Sequence, residues 1–460
     1  MALNIVIMAA GKGTRMKSSL PKVLHKIGGR ALVQHVLDAT APLAADRRIV
    51  ITGHGAEAVE AALGSAAQYV RQMPQLGTGH AIQQTVPVLG DEASGTTLIL
   101  NGDTPLISTA TARALVDACA DGKLVLLNIE YADPTGYGRV VREGDAVKAI
   151  VEHKDASPEQ RQIRECYTGI MAAPTQALKR WVMALKNNNV QGEFYLTDIV
   201  AMAVAEGLPV VGLKTTNETE VLGVNSPLQL ADLERRFQRS QADALMEQAG
   251  VRLTDPTRFD LRGTLTCGSD VEIDVNCVFE GKVALGDGVR IGANCVIRNA
   301  EIRAGARIHE FTHIDGEAQG ATVGEGALIG PFARLRPGAQ LGPEVHIGNF
   351  VEVKNSTLAK GAKANHLAYL GDATVGERVN YGAGSITANY DGANKHRTVI
   401  GNDVHVGSNC VLVAPVEIGA GATIGGGSTI TKPVEAGTLA VARGKQMAIS
   451  GWVRPSKNKK

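Results

Sequence analysis

Through the last two fifths of the chain an aliphatic residue returns at every sixth position, usually followed by glycine. Val323, Ile329, Leu335, Leu341, Ile347 and Val353 make one run, and Val406, Leu412, Ile418, Ile424 and Ile430 another. A period of six fits neither the roughly 3.6-residue turn of an α-helix nor the two-residue alternation of a strand. It fits a chain wound as a parallel β-helix, each hexad giving one short side and one inward aliphatic residue. With three hexads per triangular coil, roughly nine coils are expected. The positions Ile273, Phe279, Leu285, Ile291 and Ile297 are in register. They slip by one to Ile302, Ile308 and Ile314, and the period restarts at Val323. Between Tyr381 and Ile400 the stretch GAGSITANYDGANKHRTV carries no register and is expected to leave the coil as a loop. Long polar loops on rigid scaffolds tend to be functional.

The first half obeys a different rule. Over 1–225 short apolar runs alternate with helical patterns. Asn4–Ala10 and Thr97–Leu100 predict buried strands, and Leu32–Ala39 and Thr109–Ala120 predict helices, an α/β layout of Rossmann-like type with a mostly parallel sheet. Ligands of such sheets bind beyond the carboxyl ends of the strands, where MAAGKGTRM and NGDTPL fall. Ser226 and Pro227 open a charged stretch with an apolar stripe that ends at Gly250, which predicts a linker helix. The expected division is therefore 1–226, a linker helix over 227–250, and a repeat domain over 251–460.

At 460 residues two or three cores are expected. A formal net charge of +1 speaks against a general nucleic-acid or anionic-membrane binder. The basic end at Lys457, Lys459 and Lys460 reads as a solvated tail. No apolar stretch approaches the roughly 20 residues of a membrane span, and the N-terminus runs into a strand without a charged leader and cleavage site. Cys119, Cys166, Cys267, Cys277, Cys295 and Cys410 form no C-x-x-C pair, so a reduced, cytoplasmic protein is expected.

Gly11, Gly13, Arg15 and Lys22 follow the first strand. Glycines admit close backbone approach to phosphate and can form an anion nest, and the two cations can neutralise charge that develops in phosphoryl transfer. GKGTRM lacks the third glycine of a dinucleotide fingerprint and the G-K-[ST] ending of a P-loop. Asp103, at the end of a second apolar strand, can hold the Mg²⁺ that phosphate chemistry usually requires; its plainer reading is a cap or turn residue.

Together with AAGKGTRM, LPKVLHKIGGRAL, QLGTGHA, NGDTPL, GYGRVV, IVEHKDA and GVNS, these motifs resemble the nucleotide-diphospho-sugar pyrophosphorylases. With the repeat half attached, nearly the whole chain resembles the bacterial bifunctional N-acetylglucosamine-1-phosphate uridylyltransferase / glucosamine-1-phosphate N-acetyltransferase family. The resemblance implies a left-handed β-helix and an enzyme that supplies UDP-N-acetylglucosamine to peptidoglycan and lipopolysaccharide synthesis; a triangular β-helix offers flat faces for threefold packing, so a homotrimer is expected. It implies that Met8, Ala9, Ala10, Gly11, Gln72, Gly77 and Thr78 hold the uridine nucleotide, beside Asn101 and Gly102. Arg15 and Lys22 would face the triphosphate as catalytic cations. Gly138, Glu152, Tyr167 and Asn225 would contact the sugar phosphate, and Asp103 and Asn225 would bind Mg²⁺. Two positions depart from the family pattern: Asn101 stands where tyrosine is common, and Tyr167 where asparagine is usual.

In the repeat half, NHLAYLGD places His366 and Tyr369 where the register is disturbed. Acetyl transfer from a thioester to a sugar amine needs a base near neutral pH, which suits His366, although most of the eleven histidines should be surface or structural. The resemblance implies that Arg336, Lys354, Tyr369 and Asn380 bind glucosamine 1-phosphate. Ala383, Asn389, Tyr390, Ser408, Gly426 and Arg443 would line the acetyl-CoA site, with a backbone N–H near Ser408 as an oxyanion donor. A zinc site built from His309, His313 and His346 is the competing reading, and nothing in the sequence fixes its third ligand. Two rival functions stand beside the bifunctional enzyme: a pyrophosphorylase whose β-helix only regulates or oligomerises, and a non-catalytic subunit of a nucleotide-exchange complex. His366, Tyr369 and the 382–399 loop speak against the first, and Arg15, Lys22, Asp103 and Asn225 against the second.

Overall fold

The computed structural model describes residues 2–92 and 94–455, so the basic end at Lys457–Lys460 lies outside the described residues. The chain divides into two compact units between Phe237 and Gln238. That boundary falls inside the helix Pro227–Ala249. Leu233 is buried with Met16, Ile27, Leu32 and Val224 of the first unit. Ala242 belongs to the core of the second.

The first unit is built on a nine-stranded sheet. Its main path runs Val210–Lys214, Leu124–Glu130, Glu165–Pro174, Thr96–Asn101, Leu3–Met8, Arg47–Thr52 and Gln68–Arg71. All of these neighbours pair in parallel except Glu165–Pro174, which is antiparallel to both strands beside it. Leu3–Met8 reads LNIVIM and is buried at nearly every position, as a strand covered on both faces must be. Arg47–Thr52 and Gln68–Arg71 extend the sheet on one side of it and Thr96–Asn101 on the other, so the strand order reverses here and its carboxyl end is a topological switch point. Met8 pairs with Asn101, so the two segments that follow these strands leave the sheet side by side.

The second unit is a parallel β-helix. One sheet of eleven strands and one of sixteen run along it. Inward positions stack coil on coil: Ile273 on Ile291, Ile291 on Ile308, Ile308 on Ile329, Ile329 on Ile347. All five are 2 % exposed or less. The eleven-stranded sheet exceeds the expected nine coils because Arg252–Leu253 and Leu439–Ala440 prolong the ladder at both ends.

The expectation of a registerless loop between Tyr381 and Ile400 is corrected in part. Ile386–Ala388 is a strand that pairs with Val411–Val413, and only 389–397 leaves the coil. Thr387 takes the inward slot at 1 % exposure. Its hydroxyl accepts from Gly371 N (2.8 Å) and donates to Gly371 O (2.9 Å), so a polar residue serves a core position without an unmet group. Thr387→Val keeps the shape and strands both Gly371 groups. It should lower unfolding stability by about 1–3 kcal/mol in a denaturant titration.

Candidate active sites

The first site opens at the switch point, in a cleft of about 290 Å³ lined by Met8, Ala9, Ala10, Gly11, Lys22, Gln72, Gly77, Thr78, Asn101 and Asp103. Two glycines there are required by geometry. Gly13 has φ +61°, and a Cβ on it would sit 2.8 Å from Lys22 Cβ, so glycine lets the Lys22 stem close over the turn. Gly77 has φ +106°, and its Cβ would meet Phe194 O at 2.6 Å. The buried Gln72 amide donates to Gly77 O at 2.9 Å and fixes that turn from behind.

Three side chains converge beside the cleft, of which Lys22 and Asp103 line it and Asn225 does not. The Lys22 ammonium is ion-paired with the Asp103 carboxylate and donates to Asn225 Oδ1 at 3.0 Å. Asn225 is held there by the backbone, because Val224 N donates to Asp103 O at 2.9 Å. Two oxygens, one charged and one neutral, thus face a single cationic position. That donor set fits a hard divalent cation with few protein ligands, whose remaining positions go to water and phosphate oxygens. Arg15 lies exposed on the short turn Thr14–Met16 and is not among the residues that line the cleft. Gln75 and Glu193 do line it, and sequence reasoning did not single them out.

A second cleft of about 240 Å³ shares Met8, Thr78 and Asn101 with the first and is completed by Gly138, Glu152, Tyr167 and Thr197. Burial pushes the Glu152 carboxyl above the usual carboxylate range, although Thr197 Oγ1 donates to it at 3.1 Å.

In the second unit, His366 belongs to a corner column tied by backbone hydrogen bonds from coil to coil. Leu367 N donates to Asn349 O (3.1 Å), Gly384 N to His366 O (3.2 Å), Asn409 N to Ala383 O (2.7 Å) and Gly427 N to Ser408 O (2.8 Å). Arg443 Nη1 closes the column on Gly426 O at 2.6 Å. His366, Ala383, Ser408, Gly426 and Arg443 are therefore brought together along one edge. The exposed His366 ring has Nδ1 2.9 Å from Asn349 Oδ1. An amide oxygen only accepts, so Nδ1 carries the proton and Nε2 is left as the acceptor facing outward.

Arg336, one residue past the strand Arg334–Leu335, lies beside Lys354 of the next coil, and Arg336 Nη1 also meets Glu352 Oε1 at 2.8 Å. The Lys395 ammonium holds the Lys354 amine below the ordinary lysine range, with burial and the Arg336 guanidinium adding to it. Lys395 lies in the 389–397 loop and sequence reasoning missed it. Asp391 braces that loop, accepting from Ala393 N (2.8 Å), Asn394 N (2.7 Å) and the His396 ring (2.6 Å). Asn389 is buried, with its amide on Asp372 Oδ2 at 2.5 Å, while Tyr390 is exposed. Tyr369 shares the sheet of Lys354, but Asn380 stands in the eleven-stranded sheet, one strand from His366 and 3.2 Å from the His405 ring. His313 lies in a different sheet from His346, which separates two members of the zinc reading. Among the described residues no group of three or more His, Cys, Asp or Glu side chains is arranged to hold a metal.

Residues 5–164 match the model of the MobA-like NTP transferase domain, and 265–299, 320–355 and 397–432 match the bacterial transferase hexapeptide repeat. The bifunctional protein GlmU of Methylibium petroleiphilum is 74 % identical over 99 % of this chain and 100 % of its own length. The chain belongs to the GlmU family. The GlmU of Albidiferax ferrireducens is 66 % identical over 99 % of this chain and 100 % of its own length. That of Janthinobacterium sp. strain Marseille is 55 % identical and covers both chains fully. As a member of that family the chain is a bifunctional enzyme, a uridylyltransferase in its first half and an acetyltransferase in its second. A nucleotidyltransferase half and a hexapeptide half are thus both accounted for, and the two rival functions fall away. Of its cysteines only Cys267 is not fully buried, and burial pushes the Cys119, Cys267 and Cys277 thiols up to about 11. Among the described residues no helix is long and apolar enough to cross a membrane.

Proposed function

We propose that the second unit acetylates glucosamine 1-phosphate with acetyl-CoA and that the first converts the product, with UTP, to UDP-N-acetylglucosamine and pyrophosphate. The observation that carries the reading is the convergence of Lys22, Asp103 and Asn225 at the switch point, beside the Gly11–Gly13 turn. Asp103 and Asn225 would hold Mg²⁺, which when bound neutralises phosphate charge. Lys22 and Arg15 would oppose the charge of the triphosphate. Met8 to Gly11, Gln72, Gly77 and Thr78 would seat the nucleotide, and Gly138, Glu152 and Tyr167 the sugar. A phosphate oxygen of N-acetylglucosamine 1-phosphate attacks the α-phosphorus of UTP, a P–O bond forms, and the bond to the β,γ-pyrophosphate breaks in line with it. The chain's part is positioning and charge neutralisation.

In the acetyl transfer, the sugar amine attacks the thioester carbonyl and the C–S bond breaks. His366 Nε2 takes the amine proton, and coenzyme A leaves as the thiol. The corner column through Ala383, Ser408, Gly426 and Arg443 supports an extended acetyl-CoA, with Asn389 and Tyr390 at its side. Arg336, Lys354 and Lys395 suit the sugar phosphate, with Tyr369 in the same sheet. Asn380, apart from them in a single chain, and the flat parallel sheets support a homotrimer, which a molecular mass in solution tests. We assign the enzyme to the cytoplasm.

One assay tests the whole reading. Glucosamine 1-phosphate, acetyl-CoA, UTP and Mg²⁺ are supplied together, and free thiol and pyrophosphate are followed separately; absence of either product overturns the corresponding half. The Lys354–Lys395 pair allows a further check. The depressed Lys354 value means the folded chain pays for two crowded ammonium groups at neutral pH. That cost is lost as pH rises through the folded value, and an anion removes it without a pH change. Glucosamine 1-phosphate should raise the thermal midpoint of the wild type, and Lys395→Met should remove most of that rise and increase KM for the sugar phosphate by about tenfold.

A further inference from the structure

The motif NHLAYLGD ends on Asp372, at a corner of the coil where φ is +50°. Asparagine and aspartate tolerate that left-handed conformation better than most side chains, so the backbone alone accounts for an aspartate there. It does not account for the burial. Asp270 and Asp403 take the same conformation and stand exposed, whereas Asp372 is 6 % exposed. Withdrawing a carboxylate from water is costly unless its oxygens find donors. Here both do: Asn355 Nδ2 donates to Oδ1 at 2.5 Å, and Asn389 Nδ2 donates to Oδ2 at 2.5 Å. Each oxygen serves as an acceptor, which a carboxylate can do on both sides and an amide cannot.

Asp372 also reaches both ends of the 389–397 excursion. Its side chain holds Asn389, where the chain leaves the coil, and its main-chain O accepts from Thr398 N at 3.1 Å, where the chain returns. Its own N donates to Lys354 O at 3.1 Å, which fixes it to the coil that carries Lys354. Among the described residues, the hydrogen bonds of 390–396 run inside the excursion. The Tyr390 hydroxyl donates to Gly392 O, His396 N donates to Asn389 O, and Asp391 accepts from Ala393, Asn394 and His396. The tip is thus braced as one piece and hangs on its ends, with Arg397 Nη1 on Thr374 Oγ1 (3.0 Å) beside the returning one. Lys395 is exposed on that piece and lies against Lys354, while the Asp372 carboxylate acts on Lys354 in the opposite sense. Like charges repel, so the two lysines stay together only while the ends are tied.

We infer that Asp372 is a positioning residue for acetyl transfer: it ties both ends of the 389–397 excursion to the coil of Lys354 and so keeps Lys395 within the cation cluster that takes the sugar phosphate. It acts through Asn389 and Lys395 rather than on the substrate. The inference rests on the reading of Arg336, Lys354 and Lys395 as the sugar-phosphate site.

The test is a double-mutant cycle on the full chain with Asp372→Asn, Lys395→Met and the two together. Asn at 372 keeps the size of the side chain but turns one amide upon another. Thiol release gives kcat and KM for glucosamine 1-phosphate at saturating acetyl-CoA, and amide hydrogen exchange is followed across 389–397. Asp372→Asn should raise that KM about tenfold, change kcat by less than about threefold, and speed exchange in the excursion about tenfold or more. In the Lys395→Met background the same substitution should raise KM by less than about twofold. A residue that merely held the coil together would add its loss in both backgrounds and would speed exchange in Thr398–Ile400 and Val411–Val413 as well. Unchanged exchange over 389–397, or KM losses that simply multiply in the double variant, overturn the inference. Should Asp372→Asn fail to fold, Asn355→Ala removes an exposed donor to the same carboxylate. It should raise KM about threefold in the wild type and leave it unchanged beside Lys395→Met, and equal effects in both would overturn the inference in the same way. Failure of the underlying reading looks different: Lys395→Met alone would then leave KM unchanged, and exchange over 389–397 would still decide whether Asp372 ties the excursion.

Discussion

Replacing His366 with alanine abolishes thiol release from acetyl-CoA, while pyrophosphate formation from N-acetylglucosamine 1-phosphate continues at the wild-type rate. Loss of a positioned general base costs about 10²–10⁴-fold in rate, so the residual acetyl transfer should fall to that range or below it. The selectivity follows from the fold, since His366 is on an exposed corner of the β-helix and buries no core surface. Equal loss of both activities would show that the halves are not independent. The Asn349 contact makes the claim sharper. Asn349→Ala frees the ring to take the other tautomer and should lower kcat about tenfold with little change in KM. Asn349→Asp places a carboxylate on Nδ1, stabilises the imidazolium, and should move the acid limb of the pH profile upward. A residue that merely supported the coil would leave that limb in place.

The complementary experiment is Asp103→Asn. It keeps the size of the side chain and removes the one charge in the centre that faces Lys22. Divalent-ion stabilisation of a transferring phosphoryl group is worth several kcal/mol. A thousandfold fall in rate corresponds to about 4 kcal/mol, so uridylyl transfer should drop by about that factor or more. A chelator should stop uridylyl transfer in the wild type and leave acetyl transfer untouched. If Asp103→Asn retained wild-type pyrophosphate release, the centre at the switch point would not be the catalytic one.

Both sites were partly legible before the fold was known, for different reasons. The strands Leu3–Met8 and Thr96–Asn101 announce themselves as apolar runs closed by glycine turns, and a parallel sheet puts its ligands at such turns. Asn225 is far along the chain and carries no local signal; it reaches Asp103 through the hydrogen bond from Val224 N. The hexad period marks the inward column wherever the slot is aliphatic. It goes silent at Thr387, and at Ala364 the slot holds a methyl that the pattern does not weigh. Lys395 and Asn349 were missed because their roles are set by neighbours on other coils. A period tells which residues point inward, not which outward ones meet across a corner. Arg15 shows the converse: a motif position can be right in type while its side chain stays in solvent.

The corner column is fastened from coil to coil by main-chain bonds, from Asn349 through His366, Ala383 and Ser408 to Gly427. Side chains along it can therefore change without loosening it, whereas a residue inserted inside one of the short strands would turn that strand's inward positions outward. The 389–397 excursion is exempt, since Ile386–Ala388 before it and Thr398–Ile400 after it are already locked to their neighbours. Length variation among descendants of this chain should accumulate in that excursion, making it the place where a new substrate preference can be tried without re-indexing the rest of the solenoid.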